Sequence, residues 1–170
     1  MPIRKSIILE AANRAALTRA DSVTKASASA TAFLCHSHKD NDLANGLRKV
    51  LHEQGWNVYI DWRDTSMPEE PNEETARKIR DKILSYDWFI FLATPNSIAS
   101  RWCPWEIGYA DGKKANEKII LIRLDDGSDE YWGNEYLNLY RELSSTKKGG
   151  LRLFPRGEEG NGVLLEKLNR

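Results

Sequence analysis

Long apolar runs, dense cysteine and an excess of charge of either sign are all missing from this chain of 170 residues. Its longest apolar stretches, WFIFLA at 88–93 and IILI at 119–122, have the length of strands. A membrane span needs about 18 such residues in a row, so no membrane partner is expected. Lys plus Arg and Asp plus Glu number 25 each, which removes the basic excess typical of nucleic-acid binding. Two cysteines, Cys35 and Cys103, are too few for a disulfide framework and fit reduced thiols in a cytoplasmic protein. The apolar IIL at 7–9 is too short for the core of a secretory leader. Neither phosphate-cradling glycine motif, GxGxxG or GxxxxGK[ST], occurs. His36, His38 and Cys35 lie close together but diverge on a strand end, and no second ligand pair has metal spacing, so no metal is expected.

What the chain does contain is a regular alternation of strand and helix signals. Residues 1–30 stand apart. They lack aromatics and carry five bases against two acids, and Ile8, Ala12, Ala15 and Arg19 recur as a weak helical face. They read as a helical extension and linker that docks on a domain spanning 31–170. TAFLCH (31–36) is a first strand, and Asp40, Asn41 and Asp42 offer an N-cap to a helix with Leu43, Leu47, Val50 and Leu51 on one face and Gly55 after its end. WNVYID (56–61) is a second strand. The loop DTSMPEEP (64–71) follows, and Asn72 caps a helix burying Ala76, Ile79 and Ile83. DWFIFLA (87–93) is apolar throughout, as a strand covered on both faces should be. KIILIRL (118–124), LRLF (151–154) and VLLEKL (163–168) read as a fourth strand, a fifth strand and a closing helix. This is the pattern of an α/β flavodoxin-like, doubly wound parallel sheet of about five strands. In the numbering of those five, the expected order is 2-1-3-4-5.

Ligands bind such sheets at the carboxyl ends of the strands, where the strand order reverses. Two segments meet there, HSHKD (36–40) and TPNSIASRWCPWE (94–106), with DWRD (61–64) bordering them. Trp102 precedes Glu106 by four residues, which places an indole and a carboxylate on one helical face. That pair can stack a flat heteroaromatic ring and stabilise the positive charge of an oxocarbenium-like transition state, which suits N-glycosidic cleavage. A solvated glutamate in a helix's first turn would have the same spacing, gaining roughly 0.3–1 kcal/mol from the dipole. If Glu106 instead serves glycosidic cleavage, Glu106→Gln should abolish turnover while changing stability by less than about 1 kcal/mol. Trp105, Ile107 and Tyr109 read as core.

Three segments, AFLCHSHKD (32–40), VYIDWRD (58–64) and SRWCPWEIGYADG (100–112), together resemble the boxes of bacterial Toll/interleukin-1 receptor (TIR) domains of the NAD+-cleaving type. DTSMPEEP then takes the place of the family's BB loop. The resemblance implies that Glu106 is the catalytic residue and that Trp102 lines the nicotinamide side of the pocket. It also implies substrate contacts from His36, Ser37, Asp61, Trp62 and Arg63. NAD+ would be substrate rather than cofactor, with nicotinamide and ADP-ribose or a cyclic isomer as products. Self-association through residues 64–71, a separate sensor or effector protein, and a role in antiphage defence or signalling are further implications. A non-catalytic TIR interaction module and a nucleoside deoxyribosyltransferase-like enzyme are the alternatives.

Overall fold

A computed structural model describes residues 1–17, 30–61, 72–127, 135–146, 150–155, 158 and 160–168. The expected closing loop 64–71, and Trp62 and Arg63 before it, lie outside the described residues. The strands are β1 (Ile3–Arg4), β2 (Thr31–Cys35), β3 (Asn57–Tyr59), β4 (Trp88–Ala93), β5 (Ile119–Asp125), β6 (Arg141–Ser145), β7 (Leu151–Phe154) and β8 (Val163–Leu164). The helices are α1 (Lys5–Leu17), α2 (Asn41–Glu53), α3 (Glu73–Ser85), α4 (Pro95–Ile98) and α5 (Cys103–Asp111).

The sheet runs β3-β2-β4-β5-β6-β7-β8, and β1 pairs with β5 off that path. Its first four members are parallel and in the expected order. Beyond them the expectation is corrected. Leu151–Phe154 does not lie beside β5, because the unforeseen β6 intervenes, parallel to β5 and antiparallel to β7. Its sequence, RELSS, is polar enough to read as a loop, and only Leu143 and Ser144 are buried. The expected closing helix at 163–168 is instead β8, antiparallel to β7, followed by a 3-10 turn at Leu165–Leu168. Six residues are too few to nucleate a helix against a ready sheet edge.

Caps set the helix boundaries. Asn72 accepts from the Thr75 amide while Thr75 Oγ1 accepts from the Asn72 amide, so both ends of a capping box are closed on α3. At the far end of α2, the Gly55 and Trp56 amides donate to His52 and Leu51 carbonyls at 2.9 and 3.0 Å. That Schellman closure needs a left-handed residue, and Gly55 supplies it with φ 82°. All six residues of β4 are buried, as their unbroken apolarity implied.

The N-terminal residues are bound into the sheet layer. Ile3 and Arg4 pair with Leu124 and Asp125, and the Ser145 amide donates to the Met1 carbonyl at 2.9 Å. Ile8 and Ala11 of α1 are fully buried, and Ile8 joins the same core cluster as Leu47 and Leu51 of α2. The close approach depends on Gly46, where an added Cβ would fall 1.9 Å from the Ile8 carbonyl oxygen. A Gly46→Ala variant is therefore expected to lose about 1–3 kcal/mol as α1 is pushed off α2, measured by urea unfolding. An unchanged midpoint would mean that the two helices are not in register at this point.

Two core layers result. Ala32, Leu34, Ile90, Ile120 and α2 form one face, while Phe33, Cys35, Phe89, Phe91, α3 and α5 form the other. The second layer carries the carboxylate of interest at its upper edge.

Candidate functional site

The chain reverses direction across the sheet between β2 and β4, so their carboxyl ends border a crevice. Asp40 ties the two loops together there. Its Oδ2 accepts from Thr94 Oγ1 at 2.5 Å and its Oδ1 from Asn96 Nδ2 at 2.7 Å. The expectation that Asp40 caps α2 is thus corrected in part: it occupies the N-cap position, but its carboxylate makes no capping bond. Both oxygens are held by stronger donors across the crevice.

Thr94 and Ser97 close a capping box on the short α4, which delivers the chain to Ser100. Ser100 Oγ accepts from the amides of Trp102 and Cys103 at 3.1 and 3.3 Å, so this hydroxyl quiets the free amides at the start of α5. The Glu106 amide closes the first turn on the Trp102 carbonyl at 2.8 Å. Cys103, Ile107 and Ala110 then face the sheet and are buried, as expected. Trp105 is not core, whereas Tyr109 is half-buried and packs against the second core layer. Trp105 is 37% exposed, stands edge-on to Trp102 at 5.5 Å and stacks on Tyr109 at 6.1 Å. Helical spacing put these rings on one face without showing that the face stays uncovered.

Glu106 is only 4% exposed. Burial pushes its carboxyl pKa up to about 8, the nearby Cys103 thiol and Asp61 adding to the rise, while a Cys35 hydrogen bond and His38 oppose it. Cys35 lies beneath it, its thiol directed at the Cys103 carbonyl at 3.8 Å and held protonated by full burial. Burial therefore favours the neutral acid at Glu106 near neutral pH.

The other candidate residues surround this group in different ways. His36 is buried with Nδ1 3.2 Å from the Leu34 carbonyl, which can only accept, so Nδ1 carries the proton. Its Nε2 has no partner among the described residues, and burial lowers its pKa, keeping the ring neutral. Ser37 accepts from the Lys39 amide at 3.3 Å and caps the 3-10 turn His38–Asp40. Asp61, at the end of β3, lies 3.6 Å from His38 Nε2. Trp102 is half-buried over the second core layer. The described site thus gathers Glu106, Trp102, His36, Ser37 and Asp61 at one end of the sheet.

His38 was missed as a site residue. Its pairing spans the ends of two strands, and its position between Ser37 and Lys39 suggests only a solvated turn.

Over residues 32–151 the sequence matches the TIR domain family. It is 36% identical over 110 residues to a Bacillus cereus (strain MSX-D12) protein named "Probable 3' cyclic ADP-D-ribose synthase ThsB'", covering 64% of this chain and 57% of that protein. It is 25% identical over 100 residues to a Cytobacillus dafuensis protein named "Putative cyclic ADP-D-ribose synthase TIR2", covering 57% of this chain and 26% of that one. The matched region spans less than two thirds of either relative. With three sequence boxes converging on one crevice and the family match running through all of them, this chain belongs to the TIR domain family.

Proposed function

We propose that this chain cleaves the nicotinamide–ribose bond of NAD+ and passes the ribosyl cation to water or to a hydroxyl of the same molecule. The observation that carries the reading is a carboxyl group buried to 4% exposure, one helical turn after a half-buried tryptophan, at the strand-order reversal. Burying an ionisable group so deeply is costly. A surface that only docks partners has no use for it, whereas a glycosidic bond that develops positive charge does.

The chemistry follows from charge. NAD+ brings a cationic pyridinium ring next to Glu106, and an adjacent cation favours the carboxylate over the acid. Substrate binding therefore ionises the group at the moment it is needed. As the C–N bond breaks, nicotinamide leaves with the bonding pair, and the positive charge moves to the ribose facing Glu106. Trp102 stacks the pyridinium ring. The names of both relatives point to a cyclic product.

Incubating NAD+ with concentrated protein and separating the products by chromatography tests this directly. Nicotinamide should appear with ADP-ribose or its cyclic isomer; unchanged NAD+ under crowded conditions would favour a scaffold. A Trp102→Ala variant should raise KM for NAD+ by about 10-fold or more, since a stacked base is worth about 1–3 kcal/mol. An unaltered KM would remove Trp102 from the pocket.

A further inference from the structure

We infer that His38, held by Asp61 at the carboxyl end of the sheet on which Glu106 also lies, accepts the proton of the hydroxyl nucleophile that captures the ribosyl cation. The inference rests on the proposed NAD+ cleavage and assigns the second half of that reaction.

The capped 3-10 turn after β2 projects His38 toward the end of β3, where its Nε2 lies 3.6 Å from Asp61 Oδ2. Its side chain is 71% exposed and that of Asp61 only 17%, so a fixed carboxylate orients an open imidazole. Packing gives no reason for a histidine here. With Nε2 turned to Asp61, Nδ1 is the nitrogen left to meet a substrate. Such a carboxylate–imidazole pair is the usual way to fix the tautomer of a general base.

His38 follows the end of β2 by three residues, and Cys35 at that strand end contacts the Cys103 carbonyl in the first turn of α5, the turn that carries Glu106. The ionisable groups around His38 are Asp61 from the end of β3, Glu106 from α5, His36 from the end of β2, and Lys39 and Asp40 in its own turn. The Asp61 carboxylate leads in raising the basicity of His38, burial opposes it, and Glu106 adds to the rise. His36, whose basicity is lowered by burial, is the weaker base for the same task.

The two steps have different proton needs. Bond cleavage needs no acid, because nicotinamide departs neutral with the bonding pair. Capture by water or a ribose hydroxyl forms a C–O bond and leaves an O–H proton to be removed. Capture by a pyridine nitrogen forms a C–N bond and releases no proton. A base specific to the second step therefore affects hydroxyl nucleophiles and spares pyridines.

The full chain is incubated with NAD+ and 3-acetylpyridine, and the exchange product is measured against the sum of ADP-ribose and cyclic product. In His38→Gln the ratio of exchange to hydroxyl capture should rise about 100-fold, the low end of general-base effects. In Asp61→Asn the pH midpoint for hydroxyl capture should move to lower pH by more than the midpoint for exchange, because Asp61 pairs directly with His38 and acts on Glu106 only through space. An active His38→Gln with the wild-type ratio overturns the inference and leaves NAD+ cleavage standing. A wild-type chain that releases no nicotinamide overturns both.

Discussion

A Glu106→Gln variant is expected to be more stable than the wild type and unable to release nicotinamide. The two effects have one origin. Burial raises the carboxyl pKa from 4.5 to about 8 in the folded chain, so between those values the folded state holds a proton that the unfolded state has released. Stability then falls as pH rises through that window and levels off above pH 8. At pH 7 the wild type has lost about 3 kcal/mol relative to pH 4.5, at about 1.4 kcal/mol per pKa unit. Glutamine, similar in shape and neutral, avoids that loss. For a chain of this size, the melting temperature at pH 7 should be about 6–12 °C higher in the variant, and the gap should close near pH 4.5. Calorimetry at pH 4.5, 7 and 8.5 checks it. Equal melting temperatures at all three would mean an ordinary, solvated glutamate. The sequence-based expectation for a catalytic Glu106 is a change of less than about 1 kcal/mol, and its burial to 4% exposure predicts the larger one. Activity should fall by at least about a hundredfold, as when a preorganised charge-stabilising group is removed.

The second large effect is the dependence of turnover on pH. Because kcat/KM reports the free enzyme, the fraction of Glu106 already ionised sets it. With a pKa of about 8, kcat/KM for NAD+ should climb about tenfold per pH unit from pH 6 and flatten above 8. The total gain from pH 6 to 9 is roughly a hundredfold. Once substrate is bound, the pyridinium cation should move the corresponding break in kcat to lower pH. A kcat/KM profile flat from pH 6 to 9 would contradict the assignment of the neutral acid to Glu106. A common break in kcat and kcat/KM would remove the electrostatic coupling between substrate and carboxyl.

Features with local causes were legible in the sequence. Asn72 and Gly55 mark helix ends because capping is decided within four residues. The apolar β4 announces its double burial for the same reason. The parallel core β3-β2-β4-β5 follows from strands that alternate with helices. Long-range choices were not legible. RELSS becomes a strand only because β5 and β7 leave a place between them, and VLLEKL forgoes a helix for the edge of β7. The seating of α1 depends on the missing side chain of Gly46, 38 residues from Ile8.

The site divides in the same way. The spacing of Trp102 and Glu106, with the family boxes, singled out the pair. The depth at which Glu106 lies depends on Cys35 and on the loops tied by Asp40, which no spacing records. His38 and Asp61 meet across two strand ends, and each alone resembles a surface residue. Trp105 was misplaced because periodicity identifies a shared face, whereas coverage of that face depends on the rest of the fold.

The most direct measurement is nicotinamide release from NAD+ at pH 8.5 by concentrated wild-type protein, beside Glu106→Gln shown by calorimetry to be folded. Steady release by the wild type, and none by a variant at least as stable, is the expected result. Equal release by both proteins would contradict the central role given to the buried carboxyl group of Glu106.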